Sequence, residues 1–350
     1  YIYFAYDALT ERLGTLLVVD LFGFGFPLEV VIGGIGIVLL LEGTRRSIGL
    51  PLVIVASVFL VYSIFGQYMP DLLSHKGVSL TRLIGYHWLG GEAIFGIPIG
   101  VSVSFVFLFV LFGSLLDKAG AGKYFLDLAF AMVGRYRGGP AKAAILASGM
   151  TGAISGSSIA NVVTTGIFTI PVMKRMGYPA TKAGAIEVAA STNGQIMPPI
   201  MGAAAFIIAE ILGMSYFDVI TAAFIPAVIS YLALIYISHL EALKLDLKGM
   251  ERSDLPHLRQ TFLSGMHFLI PIAVLVWLLM VERWTAGSSV FYSIMLLMVI
   301  ILIQHMLVAH SKDQTVTEAL RLAVAEIYEG MIAGARNMIG IAIAVGGAGI

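Results

Sequence analysis

An all-α polytopic membrane fold, containing a re-entrant hairpin and then a broken transmembrane helix, is the class this sequence predicts. Three observations carry that expectation. Of 350 residues, 59% are hydrophobic and 12% charged. Apolar runs recur near 16–42, 50–66, 93–117, 219–240, 263–281, 287–307 and 324–350, on the scale of a hydrocarbon core about 30 Å thick. Two stretches of small polar residues, Ser155-Gly-Ser-Ser-Ile-Ala-Asn161 and Ser191-Thr-Asn-Gly-Gln-Ile-Met-Pro-Pro199, interrupt the apolar sequence. Lipid punishes unpaired backbone, so a span does not stop being helical there without a cause.

Composition excludes several function classes. The formal net charge is zero and no long basic cluster occurs, which argues against a nucleic-acid partner. There is no cysteine, hence no disulfide framework, thiolate metal site or cysteine nucleophile. His239, His257, His267 and His305 lack metal-ligand spacing, and no His-Glu-x-x-His or Gly-x-Ser-x-Gly pattern is present. No enzyme constellation, cofactor or transition-metal site is expected. The chain opens Tyr1-Ile-Tyr-Phe without an initiator Met and closes in an apolar run, so a fragment of a longer polypeptide is expected.

Between the spans, residues 79–90 and 121–135 are amphipathic and short, as expected of segments lying in the interface. Trp88, Trp277 and Trp284 read as interface anchors. With the Arg45-Arg46 loop inside, and 141–175 re-entering rather than crossing, sixteen of the 21 basic residues fall on the cytoplasmic side. Arg12, Lys76, Arg82 and Arg283 fall outside, and Arg336 lies within the last helix. This bias fixes orientation and supports the re-entrant segment.

Ala143 to Met173 is bounded by Lys142 and by Lys174-Arg175. As one helix it would be roughly 46 Å long, too long for one span, while two spans need about 40 residues. A fold at Ser155–Asn161 gives two half-helices of about 12 to 14 residues and returns both charged ends to one side. The next segment, 180–213, begins near Lys182 and ends in uncharged sequence, so it crosses. Pro198 and Pro199 lie midway and free the carbonyls of Gly194 and Gln195 from helical bonding. Those carbonyls suit a hard cation such as Na⁺, and half-helix N-termini suit an anionic substrate. Taken alone, Gly149, Gly152 and Gly156 read as packing positions and Pro198-Pro199 as a kink; two polar breaks in adjacent segments favour binding. Glu187 reads first as a solvated helix-end carboxylate, with gating or proton sensing as the alternative.

Four runs then carry a resemblance: Arg135-Tyr-Arg-Gly-Gly-Pro-Ala-Lys142, Ile154-Ser-Gly-Ser-Ser-Ile-Ala-Asn-Val-Val-Thr-Thr-Gly166, Ile170-Pro-Val-Met-Lys-Arg-Met-Gly-Tyr178 and Ala189-Ala-Ser-Thr-Asn-Gly-Gln-Ile-Met-Pro-Pro199. In order, they resemble the large membrane subunit of tripartite ATP-independent periplasmic (TRAP) transporters. More narrowly the chain resembles the fused small/large permease type associated with TAXI-class solute-binding proteins. On that resemblance 1–66 is the end of a small-subunit portion, 67–92 an extracytoplasmic or interfacial linker, and 93–350 the first part of the large permease domain. The resemblance implies an elevator-type ion-transporter fold built from inverted repeats, of which only the first lies here. It implies a cation site at Ser155, Ser157, Ser158, Asn161, Asn193, Gly194, Gln195 and Pro199. It implies half of a substrate site at Gly156, Ser158, Asn161, Ser191, Thr192 and Asn193. Cation-driven uptake of a small organic anion across a bacterial or archaeal inner membrane is the implied function, with Na⁺ or H⁺ as coupling ion. The partners implied are a TAXI-type solute-binding protein and the lipid bilayer. The alternatives are a stand-alone Na⁺-coupled anion carrier and a channel or structural membrane subunit.

Overall fold

A computed structural model describes residues 18–21, 24–311 and 315–350. The first apolar run does not begin as a helix. Val18–Leu21 (β1) pairs antiparallel with Phe24–Pro27 (β2), Val18 opposite Pro27. The β-branched and aromatic residues of these strands favour extended backbone, and helix α1 starts only at Leu28, running to Ser47. The expected span over 16–42 is thus corrected to a strand pair followed by a helix shifted toward the C-terminus. Glu29 stands in the first turn of α1, with Arg45 and Arg46 in its last.

Gly49, at φ +107°, turns the chain into α2 (Leu50–Phe65), a conformation glycine adopts without a side-chain clash. Residues 79–90 form a short helix, α3 (Leu80–Ile84), and a π-helical turn through Leu89. Trp88 is seated against α1: a Cβ on Gly36 would lie 2.3 Å from its ring. The anchor expected in the interface is therefore a packing residue held by a glycine groove. The structure divides into two compact units, one reaching to Val103 and including Met338–Ile350, the other Ser104–Asn337.

Helix α4 (Ile97–Val101) passes through a π-helical turn into α5 (Phe107–Lys118). Next come α6 (Ala121–Val133), α7 (Gly139–Ser155), α8 (Ser158–Arg175), α9 (Ala180–Asn193) and α10 (Ala203–Leu212). Beyond them lie α11 (Tyr216–Lys244), α12 (Leu258–Ser264), α13 (Leu269–Met280), α14 (Ala286–Ser311) and α15 (Val316–Ala348). Among the described residues, five helical segments are long and apolar enough to cross a membrane, and up to six if the pair Arg252–Ser264 and Met266–Met280, bent by 53°, is one span. The chain is an all-α polytopic membrane protein apart from the β1–β2 pair.

The second unit is organised around α7. Its run of Ala and Gly lets neighbouring backbones approach closely, the packing device available where lipid removes the hydrophobic drive between helices. On one side Ala143 and Ala147 meet Leu126, Ala129 and Phe130. Residues 121–133 therefore pack on a hairpin arm. On the other side Ala141, Ala144 and Ile145 cluster with Met173, Ile186, Ala190 and Tyr231. Tyr231, on α11, donates to the carbonyl of Ala190 at 2.7 Å, which ties the last turn of α9 to a long apolar helix. Tyr231→Phe removes this second donor while the Gly194 N–H stays on Ala190 O, and is expected to destabilise the full-length protein by about 0.5–1.5 kcal/mol, the net worth of one hydrogen bond. The exposed Tyr236→Phe should leave its thermal midpoint in detergent unchanged; equal effects would contradict this packing role.

Candidate functional site

The hairpin turn is tighter than the sequence suggests. Helices α7 and α8 have 17 and 18 residues, longer than the expected half-helices, and only Gly156 and Ser157 lie between them. Gly156 takes φ +61°, and its N–H donates to Gly152 O at 3.0 Å, closing α7. Ser157 caps α8, its hydroxyl accepting from Ala160 N at 3.3 Å. Such a cap satisfies one of the orphan donors at the helix start. Ser155 Oγ accepts from Ser157 N at 3.5 Å. Asn161 is not part of the turn; it sits buried in the first turns of α8.

The second break unwinds after Asn193. Gly194–Ile196 form a 3₁₀ turn, the Pro198–Pro199 peptide is cis, Met201 has φ +61°, and α10 begins at Ala203. The carbonyls of Gly194 and Gln195, expected to be freed, are each taken up again: Gly194 O accepts from Met197 N at 3.2 Å and Gln195 O from Gly202 N at 2.7 Å. Pro199 O likewise accepts from the Tyr216 hydroxyl at 3.1 Å, which also reaches Ile200 O. A carbonyl oxygen has two lone pairs, so each keeps capacity for a cation while paying no penalty in its absence.

The two breaks meet. A Cβ on Gly152 would lie 2.7 Å from the Cα of Gly194, and one on Gly156 would lie 2.3 Å from Met201 O. Ile200 N donates to Ala153 O at 3.2 Å and Gln195 Nε2 to Ser158 Oγ at 3.1 Å. Asn161 Nδ2 donates to Ser148 O at 2.8 Å, while its Oδ1 is buried and accepts no hydrogen bond among the described residues. That orphan acceptor suits a cation or a donor. Gly149, Gly152 and Gly156 do pack closely, yet Gly152 and Gly156 pack against the break itself. Of the other expected residues, Asn193 is half-buried beside this contact. Thr192 is exposed and back-bonds to Val188 O at 2.8 Å, so it faces away from Ser191, which is buried.

Glu187 is not a solvated helix end. It is fully buried, and its carboxylate meets hydroxyls of Ser148 at 2.8 Å, Thr169 at 2.6 Å, Ser191 at 3.3 Å and Thr165. Ser148, Thr165 and Thr169 escaped the sequence reading, as did Tyr216. The available signal was the pairing of Thr165 with Thr169 and Glu187 with Ser191, each four apart and so on one helix face.

The sequence over residues 35–350 matches the family described as "Tripartite ATP-independent periplasmic transporter, DctM component". The chain belongs to the DctM family of TRAP transporters. It is 27% identical over 255 residues to the uncharacterized protein YgiK of Salmonella typhimurium, covering 73% of this chain and 54% of the relative. It is 24% identical over 168 residues to the 2,3-diketo-L-gulonate TRAP transporter large permease YiaN of Escherichia coli (48% and 39% covered). It is 41% identical over 91 residues to the C4-dicarboxylate TRAP transporter large permease DctM of Pseudomonas aeruginosa (26% and 21% covered). The chain spans about half the length, or less, of these curated relatives. It is a multi-pass chain of the prokaryotic cytoplasmic membrane.

Two glycines separate backbone strain from contact. Gly213 and Gly156 both have φ +61°, but only Gly156 has a neighbour where a Cβ would stand. Gly213→Ala should cost about 1–2 kcal/mol through backbone strain alone. Gly156→Ala should cost clearly more, read as the larger drop in thermal midpoint in detergent. A smaller drop at Gly156 would contradict the close approach of hairpin tip and break.

Proposed function

We propose that this chain carries one half of the cation and substrate site of a TRAP permease that takes up small organic anions. The observation that supports this most is the meeting of two polar helix breaks around a buried, unpartnered acceptor, Asn161 Oδ1. The cation side of the site comprises Ser155, Ser157, Ser158, Asn161, Asn193, Gly194, Gln195 and Pro199. The residue types fit Na⁺: they offer neutral side-chain and backbone oxygens, the hard ligands such an ion takes. The substrate side comprises Gly156, Ser158, Asn161, Ser191 and Asn193. The exposed side chain of Thr192 makes it the weakest of the substrate assignments. The printed names of two relatives point to the substrate class, since 2,3-diketo-L-gulonate and C4-dicarboxylates are carboxylate anions.

Coupling follows from charge. A carboxylate and Na⁺ held at adjoining oxygens and helix N-termini stabilise each other, so each raises the affinity for the other. Inward movement of each net positive charge yields about 2.3 kcal/mol per 100 mV of membrane potential. Rigid packing of α7, α8 and α9 suits an elevator, in which hairpin and broken helix move together. A periplasmic solute-binding protein, of TAXI type on the sequence resemblance, is the proposed donor of substrate. A fused small/large arrangement, with 1–66 as the end of a small-subunit portion, rests on the sequence resemblance alone, and the match to the large component begins at residue 35.

The test is uptake by the reconstituted full-length protein with its solute-binding protein, with Na⁺ and pH gradients varied independently. Asn193→Ala and Ser157→Ala should each weaken the apparent Na⁺ affinity by about tenfold, the loss of a hydrogen bond or ligand to a charged group being about 1.5–3 kcal/mol. Unchanged uptake and sodium dependence in both variants would remove the assignment.

A further inference from the structure

The Glu187 cage lies outside the residues just assigned, apart from Ser191, and has its own chemistry. Glu187 is fully buried among three helices, α7, α8 and α9. The charged side chains of the neighbouring helices are engaged elsewhere: Lys142 of α7 with His239 at 3.2 Å, and Lys182 of α9 with Glu241 at 3.6 Å. Lys174 and Arg175 stand in the last turn of α8, beyond Thr169. From α11 the facing titratable group is Tyr231, whose phenol donates to Ala190 O at 2.7 Å. Among the described residues, no ion pair neutralises Glu187.

Two of the four hydroxyl protons around Glu187 have a competing acceptor. A hydroxyl carries one proton, yet Thr165 faces both Asn161 O at 2.8 Å and Glu187 Oε1. Thr169 faces both Thr165 O at 3.0 Å and Glu187 Oε2 at 2.6 Å. When each threonine donates along its own helix, a common arrangement for that residue, its lone pairs point at the carboxylate. Ser148 Oγ, 3.1 Å from Thr165 Oγ1 and 3.4 Å from Ser191 Oγ, closes a cluster of oxygens around Oε1. With both threonines so turned, the carboxylate keeps only the Ser148 and Ser191 protons, both on Oε1, and Oε2 faces the Thr169 oxygen without a proton. A buried charge left short in this way calls for one positive occupant.

We propose that the Glu187 cage is a second coupling-ion site, holding one monovalent cation, H⁺ or Na⁺, between the hairpin arms and the cytoplasmic half of the broken helix. As a proton, the occupant sits on a carboxyl oxygen and is donated to a threonine hydroxyl. As Na⁺, it is held by Glu187 Oε1 and the hydroxyl oxygens of Ser148, Thr165 and Ser191, with the threonine protons turned to their backbone carbonyls. Either occupant fastens α7, α8 and α9 to one another, so its arrival is linked to the packing of the moving body. The inference rests on the reading of cation-driven uptake and, Ser191 apart, uses different residues.

The test compares the full-length protein, reconstituted with its solute-binding protein, with Glu187→Gln, which keeps the shape and removes the charge. The variant should move one positive charge fewer per substrate, read from the reversal potential of uptake. If the occupant is Na⁺, radioactive sodium bound per protein falls by one. If it is a proton, bound sodium is unchanged, uptake loses a pH dependence, and a carboxylic acid C=O band disappears from the infrared spectrum. Sodium binding and the infrared band are read on purified protein and decide the matter even where Glu187→Gln does not transport. Thr165→Val, which removes one cage oxygen, should weaken the affinity of the same cation by about tenfold. Unchanged bound sodium with no lost carboxyl band overturns the proposal. If Asn193→Ala still alters the sodium dependence in that case, the first site stands alone.

Discussion

Everything in the second unit depends on the obligation of backbone groups to be paired where no water can reach them. Both helix interruptions meet it by using each other. Ala153 O, left over near the end of α7, accepts from Ile200 N beyond the second break. Gln195 O, released by the prolines, accepts from Gly202 N within its own loop. Tyr216 reaches in from the start of α11 to cover Pro199 O and Ile200 O. Taken apart, the hairpin would leave Ala153 O and the break Ile200 N without this partner, at a cost of several kcal/mol for each group that water cannot reach. The pairing therefore fixes where hairpin and broken helix sit, and glycine at 152, 156 and 194 makes the approach possible.

This arrangement explains how a site can be made from groups that are already satisfied. Carbonyls with one lone pair used and one free leave the protein stable without an ion and still able to take one. Polar side chains are few: Asn161, half-satisfied and buried, and Ser158, engaged by Gln195. Glu187 is fully buried, and its carboxylate meets the hydroxyls of Ser148, Thr165, Thr169 and Ser191.

Much of the fold was legible in the sequence because its strongest signals are lengths and charges. Lys142 and Lys174 at both ends of a segment too short to cross twice predicted a turn in its middle, which falls at Gly156 and Ser157, and Pro198-Pro199 predicted the helix break that follows Asn193. What composition could not reveal was pairing. The carbonyls of Gly194 and Gln195 looked free because the sequence shows which helical bonds prolines remove, but not which turns replace them. Glu187 looked solvated because its distance from Lys182 was counted along one helix, whereas its burial comes from hydroxyls on two others. The start of α1 was misplaced because Val, Phe and Gly read alike as apolar in a membrane-length window, while their preference for extended backbone decides 18–27. Trp88 was read as an anchor because the two glycines that receive it lie some fifty residues earlier.

The most direct measurement is hydrogen exchange on the full-length protein in detergent, with sodium and then with a large organic cation in its place. If hairpin tip and helix break form one cation site, backbone amides of 153–158 and 194–202 gain protection together, at the same sodium concentration. Protection confined to one of these segments, or a sodium response that leaves both unchanged, would contradict the account.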